Sequence, residues 1–142
     1  MLELLNELRV AIPGVQILFA FLLTVPFTQR FGDTSTFQRD VFYVTLLATA
    51  ASTICFLAPT AMHRLRLHKG DRAFLIETSN KLSIAGMVFL GIALGGAVLL
   101  ITDILFDGTR VWLYTTIVMA LLVVLWFAIP LSRTIRGVSS GP

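Results

Sequence analysis

Residues 84–106 read IAGMVFLGIALGGAVLLITDILF, an apolar run whose one charged side chain, Asp103, lies near its end. A membrane-spanning α-helix needs about 20 consecutive apolar residues, whereas strands that cross a bilayer are about 9–11 residues long and alternate in polarity. The run therefore predicts a transmembrane helix. Three further runs contain no Lys, Arg or Glu and predict three more spans, at about residues 12–27, 41–61 and 111–131.

The composition excludes the soluble alternatives. Of 142 residues, 56% are hydrophobic and only 13% are charged, whereas a soluble domain carries about 25% charged residues. So few charges cannot cover a small water-soluble fold. We therefore predict an all-α polytopic membrane protein, a four-transmembrane-helix bundle that forms a single domain over residues 1–142.

Short segments flank the spans. Leucines and an isoleucine recur at helical spacing between Leu2 and Ile12, which predicts a short amphipathic helix on the membrane surface. Pro13 suits the first turn of the span that follows. The stretch Ser35 to Gln38 fits a capping box at the start of the second helix. Residues 62–83 form the predicted connection between spans two and three. Asp71 can cap an extension of the third helix into this connection, on which Glu77 and Lys81 can pair one turn apart.

The basic residues predict the orientation. Eight of the eleven Lys and Arg residues fall in the N-terminal tail, the 62–83 connection and the C-terminal tail. The positive-inside rule places these three segments, and hence both termini, in the cytoplasm. The expected location is the cytoplasmic membrane, and the expected partners are anionic lipid headgroups at the inner leaflet rather than nucleic acid. The docking residues would be His63, Arg64, Arg66, Lys69 and Arg72.

Glycines of the third run predict close helix contacts. Gly91 and Gly95 form a G-x-x-x-G motif, and small residues at this spacing let two helices approach closely in lipid. The contact could lie within one chain, or it could join two copies. The helix-packing or oligomer-interface set is Gly86, Gly91, Gly95 and Gly96.

Polar residues inside the spans predict either helix contacts or a polar pathway. Hydroxyl residues of span two share a face and can hydrogen-bond their own helix or a neighbour. An unpaired amide in hydrocarbon costs a few kcal/mol, so we expect Gln16 to face the bundle. Asp103 is a functional candidate as an intramembrane carboxylate, or it could pair with Arg110 at the interface. The candidate pathway set is Gln16, Thr24, Thr45, Thr49, Ser52, Thr53 and Asp103.

No catalytic motif is visible. The two histidines, His63 and His68, are five residues apart, which is not the i, i+4 spacing of a helical metal site. The sequence has no phosphate loop, no G-x-S-x-G and no Cys/His set. We therefore expect neither an enzyme, a cofactor nor a metal.

Two stretches carry a resemblance to a known family. The first is RVAIPGVQILFAFLLTVPF at residues 9–27, and the second is APTAMHR at residues 58–64. With the four-span layout, they resemble a bacterial family of small integral membrane proteins of unknown function, some members of which are labelled sodium/proton antiporters. The resemblance implies the topology and no activity. It singles out Gln16, Pro59, His63 and Arg64 for testing.

Three hypotheses follow. The first is a non-catalytic helical module that self-associates, or packs against a larger membrane assembly, through Gly91 and Gly95. The alternative is a small oligomeric transporter or channel, ion- or proton-coupled, with a polar pathway between protomers. The third is a recruiter or sensor that faces the cytoplasm and uses residues 63–69.

Overall fold

The described part of the protein is entirely helical with short turns. The computed structural model describes the backbone of residues 2–66, 72–106 and 108–128, and the side chains in these ranges except those of residues 2–9, 30, 63, 65–66 and 72–75. The helices are α1 (Leu2–Thr24), α2 (Thr36–Arg66), α3 (Arg72–Leu105) and α4 (Thr109–Val123), which continues as a π-helical turn, Val124–Ala128.

Among the described residues, four helical segments are long and apolar enough to cross a membrane: Val10–Phe27, Thr36–Met62, Ile76–Leu105 and Thr109–Ala128. In lipid, a helix satisfies its own backbone hydrogen bonds, which an open strand cannot do. The predicted all-α, four-span class is confirmed.

Local chemistry explains how the helices begin and end. Pro26 lacks an N–H, and there α1 gives way to the 3₁₀ turns Val25–Phe27 and Gln29–Asp33. The predicted capping box opens α2, since the Ser35 N–H donates to Gln38 Oε1 (3.1 Å) and the Gln38 N–H donates to Ser35 Oγ (3.2 Å). Gly108, with φ of 68°, makes the α3–α4 turn in a conformation that favours glycine.

One boundary differs from the prediction. The amphipathic N-terminal stretch and the first span form one continuous helix, so Pro13 lies inside α1 rather than in a first turn. The predicted extension of the third helix into the 62–83 connection is confirmed, because α3 begins at Arg72, and α2 extends into the connection as far as Arg66. The predicted pair of Lys81 and Glu77 forms an exposed i, i+4 ion pair on α3 (2.7 Å).

An antiparallel hairpin of α2 and α3 forms the centre of the molecule. α1 packs on α2 and α3 around Val15 and Phe56, which are 1% and 2% exposed. α4 packs on α3, and in the described residues α1 and α4 share no packed interface. As a result, 33% of the α2 span is buried but only 11% of the α1 and α4 spans.

Candidate functional site: the polar contacts of α2 and α3

A column of hydroxyl side chains lies where α2 meets α3. Thr45, Thr49 and Ser52 are each at most 1% exposed. Their spacing of four and three residues places them on one face of the helix. They are the three buried members of the seven-residue set predicted for the polar pathway.

These hydroxyls are already hydrogen-bonded. Thr45 Oγ1 donates to the Val41 carbonyl and Thr49 Oγ1 to the Thr45 carbonyl, both at 2.7 Å. Half-buried Thr53 donates to the Thr49 carbonyl (2.9 Å). Each bond returns to the helix that carries the hydroxyl, so the donors are satisfied locally.

Ser52 is different because its bond joins the two helices. Ser52 Oγ donates to the Gly86 carbonyl of α3 at 2.8 Å. A single interhelical hydrogen bond of this kind in a membrane contributes about 0.6 kcal/mol, and at most about 1.7 kcal/mol. The arrangement therefore holds α2 against α3.

Glycines allow this close contact. A Cβ at Gly86 would lie 2.7 Å from the ring of Phe56, and a Cβ at Gly96 would overlap Thr45. The space beside both glycines is thus filled by α2 side chains. The absence of a side chain on α3 is what lets Thr45 and Phe56 reach the α3 backbone.

Gly91 and Gly95 face the opposite neighbour. A Cβ at Gly91 would lie 3.1 Å from Leu122, and one at Gly95 would overlap Met119, both of which belong to α4. α4 of the same chain therefore occupies the G-x-x-x-G face, and a second copy could not reach it without displacing that helix. Of the two alternatives that the sequence left open, these distances match contacts inside the chain for all four glycines.

Asp103 joins α3 to α2 at the end of the hairpin where α2 begins and α3 ends. Gln38 Nε2 donates to Asp103 Oδ2 at 2.9 Å. The partner expected from the sequence was Arg110, but Arg110 is exposed on the first turn of α4. The antiparallel course of the hairpin, which brings the start of α2 to the end of α3, is the signal that could have identified Gln38. Beside this pair lies a cavity of about 100 Å³ lined in part by Gln38, Thr28 and Thr34.

The other pathway candidates lie elsewhere. Gln16 and Thr24 are exposed on the outward face of α1. The Thr24 hydroxyl donates to the Phe21 carbonyl (2.7 Å), whereas the Gln16 amide has no hydrogen-bond partner in the described residues. The expectation that Gln16 faces the bundle is thus wrong for the single chain. The seven pathway candidates therefore lie in three separate places and do not line one pathway.

The basic docking residues are only partly described. Arg64 is exposed near the end of α2, and His63 and Arg66 lie on the same helix and Arg72 at the start of α3, with side chains outside the described residues. Lys69 lies outside the described residues altogether. Within the described ranges, no cluster of His, Cys, Asp and Glu could hold a metal ion.

Comparison with known proteins shows the family of the chain and adds no activity. No curated protein and no solved structure matches the chain. The sequence profile of a family of unknown function (DUF6328) matches residues 1–130. Since this match covers most of the 142 residues, the chain belongs to that family.

Proposed function

We propose that the protein is a non-catalytic helical module of the bacterial cytoplasmic membrane that self-associates through the outward face of α1. The observation that carries this proposal is the amide of Gln16, which is exposed and has no partner in the described residues of its own chain.

The depth of Gln16 makes this amide costly. The span of α1 covers Val10–Phe27, so at 1.5 Å per residue Gln16 lies about 9 Å from the nearer end. The short side chain of glutamine cannot bridge that distance to the headgroups. An amide left unpaired in hydrocarbon costs on the order of 2–7 kcal/mol.

A second copy of the chain can satisfy the amide. A glutamine side chain both donates and accepts, and a two-fold axis beside α1 would bring the same amide of two copies together. Ala20 and Thr24 follow at four-residue intervals on the same exposed face. Their small side chains would let two α1 helices approach closely.

The orientation and lipid partners belong to the same proposal. The positive-inside rule favours cytoplasmic termini, and Arg64, exposed near the end of α2, would then meet anionic headgroups at the inner leaflet.

Replacing the amide tests the proposal. In liposomes that contain donor- and acceptor-labelled protein, Gln16→Leu should weaken the dimer about three- to twentyfold, which corresponds to the roughly 0.6–1.7 kcal/mol of an interhelical hydrogen bond in a membrane. Gln16→Asn keeps an amide and should retain most of the energy transfer. Ile17→Leu, on the same exposed face, is the matched control and should leave it unchanged.

Two results would contradict the proposal. One is wild-type energy transfer that stays at the random level as the protein-to-lipid ratio rises. The other is a Gln16→Leu variant that dimerises as tightly as the wild type.

The alternative is an ion pathway between protomers, and one observation favours it: the outward Gln16 amide could line water there. Thr45 and Thr49 are buried inside the chain, so they would not take part. Proteoliposomes under proton, sodium, potassium or halide gradients test this alternative. It requires a flux that Gln16→Leu abolishes, and it fails if no gradient drives a flux.

A further inference from the structure

An apolar groove opens on the surface of the central hairpin. It has a volume of about 310 Å³, and its described lining comes from α2 and α3, through Phe37, Asp40, Val41, Val44, Thr45, Ile92, Gly96 and Leu99. On α3 it extends from Leu99 to Ile92, seven residues or about 10 Å along the helix axis.

One residue of the lining is charged. Asp40 lies one turn inside α2, on the side of the groove nearest the start of that helix. Its carboxylate is exposed, and the described residues contain no ion pair that involves it. The groove therefore has a mostly apolar lining along its length and a carboxylate at the end that would lie nearer the lipid headgroups.

The nearest basic residue along the chain is engaged elsewhere. Arg39 Nε donates to Thr34 Oγ1 (3.2 Å), and Arg39 Nη2 donates to the Gly32 carbonyl (3.1 Å). Both acceptors belong to the turn that precedes α2. The guanidinium is thus held against that turn and does not neutralise Asp40.

We propose that this groove binds one membrane phospholipid whose headgroup carries a primary ammonium. The acyl chain lies along Val44, Ile92 and Leu99, and the ammonium meets the Asp40 carboxylate. A carboxylate near a membrane interface repels anionic headgroups and attracts cations. A quaternary ammonium keeps the charge but cannot donate a hydrogen bond, so a charge-assisted bond distinguishes the primary amine from it.

Native mass spectrometry tests the proposal with the full chain. The protein is released from nanodiscs that contain equal amounts of phosphatidylethanolamine, phosphatidylcholine and phosphatidylglycerol with identical acyl chains. The wild type should retain phosphatidylethanolamine about three- to fivefold over the other two lipids, the selectivity expected of one partly solvated ion pair.

Two variants separate the headgroup from the chain. Asp40→Asn should retain lipid but lose the preference for phosphatidylethanolamine. Its control is Asp33→Asn, a carboxylate in the preceding turn that does not line the groove. Val44→Phe should fill the groove and lower retention of all three lipids, whereas Leu47→Phe, at an exposed position outside the groove lining, should not.

The outcomes are distinct. Equal retention of the three lipids by the wild type would overturn the proposal, as would an Asp40→Asn variant with unchanged selectivity. Selectivity that Asp33→Asn abolishes equally would assign it to the general surface charge and also overturn the proposal. None of these results depends on self-association through α1.

Discussion

At the scale of single residues, the glycines of α3 contact different helices. Gly86 and Gly96 receive Phe56 and Thr45 of α2, while Gly91 receives Leu122 of α4. A G-x-x-x-G motif lets another helix approach closely in lipid. Here the helices that approach the glycines of α3 are α2 and α4, and both belong to the same chain.

Gly96→Ala should therefore destabilise the protein. The new methyl group would overlap Thr45, and overpacking of this kind costs about 1–3 kcal/mol. Unfolding in mixed micelles, followed by circular dichroism as the SDS fraction rises, measures the loss. Gly14→Ala is the control, since its Cβ would meet nothing within 4 Å, and the helix propensity of alanine should make it neutral or slightly stabilising.

The companion variant Thr45→Ala removes the overlapping hydroxyl. Combined with Gly96→Ala, it should recover much of the lost stability. A Gly96→Ala protein that is as stable as Gly14→Ala would show that the two helices are not in this contact.

At the scale of elements, the capping box of α2 also anchors α3. Gln38 accepts from the Ser35 N–H through Oε1 and donates to Asp103 through Nε2. One side chain thus begins a helix and holds the end of its antiparallel neighbour. A residue of the local capping motif also makes a tertiary contact, because the hairpin brings these two helix ends together.

Gln38→Glu separates the two roles. Glutamate still serves the capping box, but it replaces the donor to Asp103 with a second carboxylate. We expect a loss of about 1–3 kcal/mol, the cost of a lost partner at a partly buried acceptor, measured in the same SDS titration. Asp103→Asn in the same chain should restore most of it, since the amide can donate to the new carboxylate.

Gln29→Glu controls for the added charge, since it lies in the 3₁₀ turn before α2. Equal losses for Gln29→Glu and Gln38→Glu, or no recovery in the double variant, would exclude the bond to Asp103 as the cause.

At the scale of the whole molecule, the hairpin of α2 and α3 is the stable centre, and α1 and α4 lie against it with most of their surfaces exposed. In a bilayer those surfaces meet lipid or another protein. The arrangement leaves α1 free for the proposed dimer and leaves the groove on α2 and α3 free for lipid.

The proposed orientation predicts a labelling pattern. Cys55 is the only cysteine, so a Cys55→Ala chain can carry single new cysteines. In intact bacterial cells, a membrane-impermeant maleimide should label Gly32→Cys, in the turn between α1 and α2. It should label Glu77→Cys, on the exposed start of α3, only after permeabilisation. The reverse pattern would contradict cytoplasmic termini.

Much of the fold follows from the sequence. The four spans, the capping box at Ser35 and the helical class are set by hydropathy, run length and local hydrogen bonding. These properties belong to neighbouring residues, so a linear sequence reveals them. The continuous α1 through Pro13 was missed because a proline permits a helix as well as ending one.

Only the tertiary structure decided which way the side chains face. Gln16 faces outward, Gly91 faces α4, and Asp103 meets Gln38. In water, the apolar stripe of a helix reveals its buried side. In lipid, the buried and exposed sides of a span are both apolar, so rotation and register depend on contacts between residues distant in the chain. For this protein, the sequence by itself determined that the helices lie in lipid and how many of them span it. Packing alone determined which side chains contact one another.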